Sequence, residues 1–326
     1  MMTRINPELQ VKNMATVSIV IPCYNEEDNI IQIKEAICEA LSGMSLDLEF
    51  IFVDDGSKDK TWDVVCQLAR ADSRIKGLKL SRNFGHQSAI LAGLHHAKGD
   101  CVISMDCDLQ HPPSVLPDFI NKWQSGSEIV IGIRQEQKES GFKRFSSQFF
   151  YNFFNFLSDY KIAKNTGDFR LLDRSVLDKI LQFHETDLFL RGIVNWMGFN
   201  VAYVPYNQPP RLHGDTKYHL GKMLGLALNG IVSFTSRPLY IAFATGGIFI
   251  IFSLVYIIFI IARWLMGFQI ILGWTSIIVL ILFSTGLQLL NLGVIGVYLA
   301  SLYKETKSRP RFIIWDSVGL ENEKKE

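Results

Sequence analysis

The chain has 326 residues with 33 Lys+Arg against 32 Asp+Glu, a formal net charge of +1, and this balance excludes bulk nucleic-acid binding. Five cysteines (Cys23, Cys38, Cys66, Cys101 and Cys107) include no CxxC pair, which argues against a disulfide framework or zinc site and for a reducing compartment. The hydrophobic fraction of 48% hides an asymmetry: residues 1–235 mix charged and apolar segments, whereas 238–302 carry Arg263 as their only ionised side chain.

Residues 17–21 form a β-branched run closed by Pro22 and predict a buried strand. The run is too short for a secretory signal, so the N-terminal domain is expected to stay on the cytosolic side. Within residues 27–42, Ile30, Ile33, Ile37 and Leu41 recur at helical spacing. Residues 48–53 predict a second strand, which stops at Asp54-Asp55-Gly56-Ser57. A helix over 61–71, a strand over 75–80 and a helix over 87–97 follow. A strand over 101–105, a helix over 114–124 and a strand over 129–133 complete the series. This alternation predicts an α/β fold, a mostly parallel sheet with helices on both faces. Functional groups in such sheets gather beyond the carboxyl ends of the strands. Four polar clusters fall at those ends: Tyr24-Asn25-Glu26, Asp54-Asp55, Ser81-Arg82-Asn83 and Asp106-Cys107-Asp108.

The uncharged run 238–262 is roughly 37 Å long as a helix, enough to cross a ~30 Å hydrocarbon layer with tilt. A second run covers 274–302, with Gln288 and Asn291 expected against the partner helix and Gly286, Gly293 and Gly296 expected to permit close approach. Lys217, Lys222 and Arg237 precede the pair, and Lys304, Lys307, Arg309 and Arg311 follow it. The positive-inside bias places both flanks in the cytosol. The expected organisation is a catalytic domain over 1–217, an interfacial amphipathic helix within 218–237, a transmembrane hairpin over 238–303 and a cytosolic tail over 304–326.

Asp106 and Asp108, two carboxylates at i and i+2 on a turn after an apolar strand, can approach one divalent cation, with Gln110 as a further ligand. Such a cation offsets charge on a departing nucleoside diphosphate. A carboxylate of Asp54 or Asp55 can accept from a nucleobase N–H, Tyr24 can stack on the base, and Ser57 or Asp59 can cap the helix from Thr61. Neither a G-x-G-x-x-G nor a Walker-type loop is present. Arg134, Lys143, Arg144, Arg211 and Lys217 lie near aromatic or membrane-proximal segments and suit phosphate contacts. Asp168, in Gly167-Asp168-Phe169-Arg170 between two helical stretches, is expected to position the attacking group more than to take its proton, because a phosphate acceptor is already ionised.

Together Pro22-x-Tyr24-Asn25-Glu26, Val53-Asp54-Asp55-Gly56-Ser57, Ser81-Arg82-Asn83-Phe84-Gly85, Asp106-x-Asp108-Leu109-Gln110-His111-Pro112 and Gly167-Asp168-Phe169-Arg170-Leu171 resemble the family 2 inverting glycosyltransferases of GT-A fold, in their polyprenyl-phosphate version. The resemblance implies Mg²⁺ or Mn²⁺ at Asp106 and Asp108. It implies nucleotide-sugar contacts from Pro22, Tyr24, Glu26, Asp54, Asp55 and Asp106, catalysis involving Asp168, and phosphate handling by Arg134, Arg144, Arg211 and Lys217. It further implies a lipid acceptor at the cytosolic face of the plasma membrane and, by analogy with related membrane transferases, a tetramer. Two positions depart from the usual pattern: Thr216 stands where Ser is commoner, and Val297 where Glu often lies. The expected reaction is transfer of a hexose, glucose from UDP-glucose, to undecaprenyl phosphate, with GDP-mannose or a UDP-N-acetylhexosamine as alternative donors. A processive polysaccharide synthase would need more spans and a Q-x-x-R-W motif. A non-catalytic scaffold is disfavoured by the intact Asp106, Asp108 and Asp168.

Overall fold

β-Branched runs alternating with amphipathic stretches fold here as the alternation demands. The structure, a computed structural model, describes residues 14–135, 166–185, 190–209, 237–267 and 273–320. In chain order come β1 (Ala15–Cys23), α1 (Ile30–Leu41), β2 (Leu46–Asp54), α2 (Thr61–Ala71), β3 (Ile75–Leu80), α3 (His86–His96), β4 (Cys101–Ser104), α4 (Leu116–Gln124) and β5 (Ile129–Arg134). After these lie β6 (Thr166–Asp173), α5 (Arg174–Ile180), α6 (Leu190–Trp196), β7 (Val201–Tyr206), α7 (Arg237–Leu265), α8 (Trp274–Thr306) and β8 (Ile314–Val318). The strands form one eight-stranded sheet in the order β7-β5-β6-β4-β1-β2-β3-β8.

The central strands β4, β1, β2 and β3 are mutually parallel, so their carboxyl ends share one rim. β6 runs antiparallel between β4 and β5, and β7 pairs parallel with β5. These reversals bring the start of β6 and the ends of β5 and β7 to the same rim. On one face α1 buries Ile30, Ile33, Ile37 and Leu41, the spacing read from sequence, against Ile19, Ile21, Phe50 and Phe52. Leu116, Phe119 and Ile120 of α4 join that core. α3 covers the opposite face at short range: a Cβ on Gly93 would meet Val20 Cγ1 at 2.3 Å, so glycine sets the helix-to-sheet spacing. Helices thus lie on both faces of a mostly parallel sheet, as expected.

Two expectations need correction. Residues 167–171 do not lie between helices; they belong to β6, where Phe169 and Leu171 fill the core while Asp168 and Arg170 pair on the other face. The charges disguised a buried strand, since an ion pair replaces the apolar residues expected there. The C-terminal segment is likewise not all tail, for β8 pairs antiparallel with β3 and extends the sheet. Its core contact is Val318, while Trp315 remains 76% exposed. Of the remaining expected segments, the interfacial helix lies outside the described residues.

α7 and α8 form a separate unit, and each contains a stretch long and apolar enough to cross a membrane, Leu239–Arg263 and Phe283–Thr306. Their large side chains point outward, Phe243 being 82% exposed, which water would not tolerate over such an area. Gly286, Gly293 and Gly296 face open space, with no atom within 4 Å of an added Cβ, so they do not seat a close helix crossing. The two helices meet through bulk instead, Phe249 against Phe283 at 5.6 Å between ring centres.

At the rim opposite the strand carboxyl ends, Glu49 is 8% exposed and accepts from Lys76, Ser18 Oγ and the Lys98 amide. Burial pushes its carboxyl up, but these donors outweigh burial and hold it below the usual value. A carboxyl depressed in the folded state contributes stability above its unfolded pKa, near 4, and loses it as pH falls through the folded pKa. Glu49→Gln is therefore expected to lower unfolding free energy by about 2 kcal/mol at pH 7. Denaturant titrations repeated at lower pH should show that difference shrink below about pH 4.

Candidate active site

The ends of β1 and β2 are laced together by side-chain-to-backbone bonds. The Asn25 amide donates to Ser57 Oγ at 2.9 Å, the Glu26 amide to Thr61 Oγ1 at 2.9 Å, and the Lys58 amide to Asn25 Oδ1 at 2.8 Å. Asn25 adopts a positive φ of 55°, a conformation asparagine tolerates better than most residues. Asp59 Oδ1 accepts from the Thr61 amide at 3.1 Å, so Asp59 rather than Ser57 supports the start of α2. Pro22 is buried in β1, while Tyr24 stands 44% exposed above the rim and Glu26 accepts from the Asn29 side chain.

Asp54 and Asp55 have different roles. Asp55 receives the Phe84 amide at 2.7 Å and the Gly85 amide at 2.9 Å, both its oxygens being spent on the loop before α3. Burial pushes its carboxyl up against the effect of those two amides. Asp54 is fully buried, with Oδ1 accepting from the Ser57 amide at 2.8 Å and Oδ2 accepting nothing. Gly56 turns the chain between them with φ 71°, and a Cβ there would lie 2.5 Å from the Arg82 carbonyl carbon. Only glycine lets these two loops pass so closely.

The antiparallel insertion of β6 opposes Ser104 to Arg170 and so carries Asp168 to the end of β4. Ser104 Oγ donates to the Asp168 carbonyl at 2.6 Å. The Asp168 carboxylate, in a residue 5% exposed, accepts from Gln87 Nε2 at 2.8 Å, Arg170 at 2.9 Å and Arg191 at 3.0 and 3.2 Å. Arg174 donates to the carbonyls of Ala97 and Gly99. Burial raises the Asp168 carboxyl, yet His86, Arg191 and Arg170 outweigh it and hold the group well below the usual carboxylate range. Sequence reasoning missed His86, Gln87, Arg191 and Gln208. An arginine inside the apolar stretch 190–196 was the one available signal for Arg191, since such a charge requires a partner.

Asp106 sits beside this carboxylate. His86 Nε2 lies 3.3 Å from Asp106 Oδ1 and 3.5 Å from Asp168 Oδ2, bridging the two. The turn continues through Cys107, which is buried, to Asp108, whose Oδ1 accepts the Gln110 amide at 3.1 Å. Leu109 takes φ 60°, which reverses the chain so that His111 returns to Asp106. Gln110 Oε1 accepts from Gln208 Nε2, leaving its second lone pair for any ligation. Among the described residues no three acidic, thiol or imidazole groups form a ready cation cage. The Asp106 Oδ1 atom is nevertheless buried without a hydrogen bond, which suits an ion completed by substrate oxygens. Arg134 ends β5 at the same rim, opposite Tyr206. Arg144, Arg211 and Lys217 lie outside the described residues.

Replacing Asp168 by Asn strands Arg170, itself 3% exposed, and should destabilise the fold by about 3–5 kcal/mol. Burial lowers the His86 imidazole pKa, but Asp168 and Asp106 outweigh it and hold it raised. Because the variant loses the Asp168 share, urea titrations should show a larger penalty at pH 5.5 than at pH 8.

Residues 18–181 match the family described as Glycosyl transferase family 2. The uncharacterized glycosyltransferase YkcC of Bacillus subtilis is 39% identical over 94% of this chain and 95% of its own. A prophage bactoprenol glucosyl transferase homolog of Escherichia coli is 38% identical over 91% of this chain and 98% of its own. The SfII prophage-derived bactoprenol glucosyl transferase of Shigella flexneri is 38% identical over 91% and 97%. Among solved structures, a mannosyltransferase of Pyrobaculum calidifontis in complex with GDP-Man and Mn²⁺ shares 18% identity, with a TM-score of 0.48 over 68% of this chain and 64% of that one. With a parallel four-strand core, its motifs at one rim and relatives of this likeness along nearly its whole length, the chain belongs to glycosyl transferase family 2 and is a glycosyltransferase.

Proposed function

We propose that this glycosyltransferase moves a hexose from a nucleotide sugar, UDP-glucose, to a polyprenyl phosphate, undecaprenyl phosphate, at the cytosolic face of the membrane. The observation that carries the reading is the meeting of Asp106 and Asp168 at one rim, bridged by His86, with a buried oxygen of Asp106 left without a hydrogen bond. The relatives named for bactoprenol glucosyl transfer support the lipid acceptor and the glucosyl donor. The two long apolar helices support anchorage in the bilayer, where such an acceptor resides.

In this reading Tyr24, Pro22 and Glu26 wall the nucleotide, and Asp54 offers its Oδ2 to the base. Asp55 supports the pocket through the loop it holds rather than by touching the ligand. Asp106 and Asp108, with Gln110 behind them, hold Mg²⁺ or Mn²⁺, which offsets charge on the departing nucleoside diphosphate. Asp168 fixes Arg191 and Gln87 about the reacting centre. Arg134, with Arg144, Arg211 and Lys217, receives the acceptor phosphate, whose oxygen attacks the anomeric carbon from the face opposite the leaving group. That attack inverts configuration and needs no proton removed, because the phosphate is already ionised. The catalytic domain, both termini and the interfacial segment face the cytosol, with 238–262 and 274–302 crossing the bilayer, and copies of the chain assemble as a tetramer.

Membranes bearing the chain, given labelled UDP-glucose and undecaprenyl phosphate, should yield label in the organic extract. GDP-mannose and UDP-N-acetylglucosamine should yield far less. Label arising from one of those donors in preference to UDP-glucose would reassign the sugar, and no lipid label from any donor would overturn the acceptor. Asp106→Ala should abolish transfer, a fall of roughly 10³-fold or more, while the protein still sediments with membranes. Chelation by EDTA should stop the parent enzyme and added Mg²⁺ or Mn²⁺ restore it.

A further inference from the structure

The turn after β4 contains a side chain that the reaction as described does not use. His111 is 6% exposed, and its ring lies flat against Phe169 at 4.8 Å and 10°, with Tyr206 edge-on at 5.9 Å. Its Nδ1 accepts the backbone N–H of Asp106 at 3.0 Å. That bond assigns the ring proton to Nε2, which lies 3.6 Å from Asp106 Oδ2. The imidazole therefore holds the main chain of Asp106, and its Nε2 lies near that residue's carboxylate but beyond hydrogen-bond reach. The hold works against local strain. Leu109 stands at φ 60°, a conformation that a leucine accepts only where its surroundings impose it. Without that reversal His111 would not face Asp106.

We propose that His111 is a positioning residue for the cation site: by accepting the Asp106 amide it fixes the main chain from which that carboxylate projects. This rests on the metal-dependent reading above. The imidazole touches neither sugar nor acceptor and acts through Asp106. Of the Asp106 oxygens, Oδ1 is buried beside His86 Nε2 at 3.3 Å, and Oδ2 lies 3.6 Å from His111 Nε2. Phe169 follows Asp168 in β6, so the ring that seats His111 also ties the two carboxylates to one piece of core.

The test is Mn²⁺ binding to the detergent-purified full chain, followed by the loss of the free-ion resonance signal, without sugar donor or lipid. His111→Phe keeps a flat ring on Phe169 and removes the acceptor for the Asp106 amide. Its Mn²⁺ dissociation constant should rise roughly 10–100-fold, measured with and without a nucleoside diphosphate. Affinity for the nucleoside diphosphate in the absence of metal should not change. His111→Asn, which restores an acceptor for the Asp106 amide, should fall between parent and His111→Phe. Where His111→Phe does not fold, His111→Leu, which also lacks an acceptor, is held to the same criterion. Mn²⁺ affinity within about threefold of the parent overturns the positioning role. Asp106→Ala separates this from the larger reading: if it too binds Mn²⁺ like the parent, or the parent binds none under either condition, the cation site itself is wrong and this inference falls with it.

Discussion

Asp168 is a charged carboxylate almost out of reach of water, and the architecture of the rim follows from what that requires. An unpaired charge in such a place would neutralise or unfold its surroundings. Here Arg170, equally buried, sits two residues along the same strand and Arg191 reaches in from α6. The pair survives only if β6 runs antiparallel beside β4, because that direction alone brings Asp168 to the end where β4 delivers Asp106. Were β6 parallel to β4, its first residues would sit at the opposite rim with Glu49. The two antiparallel pairings of β6, with β4 and β5, are thus what gather motifs distant in sequence around one cleft.

The parallel half of the fold was legible because its strands are buried on both faces and read as unbroken apolar runs between amphipathic helices. Residues 75–80 and 61–71 were bounded as they fold, and the apolar stripe of α1 was identified residue by residue. β6 was illegible for the same physical reason that makes it functional: Asp168, Arg170 and Asp173 break the apolar pattern, and their mutual pairing is a tertiary fact. β8 was hidden differently. Ile314-Trp-Asp-Ser-Val318 is an edge strand with few core contacts, and nothing local distinguishes it from a charged tail. At the site the motifs gave Asp106, Asp108 and Asp168 their place, but not the side chains around them. Gln87 and Gln208 are ordinary polar residues until the fold sets them against Asp168 and Gln110. Asp55 shows that a motif carboxylate can also hold the backbone of the next loop, one amide on each oxygen.

The turn carrying Asp106 and Asp108 is held from three directions. Cys107 and Leu109 anchor it to the core beneath, His111 inserts between Phe169 and Tyr206, and Gln208 reaches over from beyond β7 to Gln110. Two residues with opposite demands meet there. A flexible loop would let two neighbouring carboxylates swing apart to relieve their repulsion, whereas a cation gains most from carboxylates already fixed. Fixing them stores like-charge repulsion and backbone strain at Leu109, and the aromatic packing offsets both. His86 lies between Asp106 and Asp168, 3.3 Å from the first carboxylate and 3.5 Å from the second.

The protonation state of Asp168 also bears on which acceptors this cleft favours. Efficient general-base catalysis asks for a group whose pKa lies near the working pH. Asp168 is pushed far the other way by the arginines that keep it soluble in the core, so its appetite for a proton is weak. An alcohol acceptor would have to lose its proton to some base as the glycosidic bond forms, and this carboxylate is poorly matched to take it. A phosphate oxygen arrives without one. Of the two arginines that disable Asp168 as a base, Arg170 stays buried and Arg191 is part-exposed, so Arg191 is the one that can attract an anionic acceptor. On the proposed reading, preference for an ionised acceptor follows from how the fold meets the burial of one carboxylate.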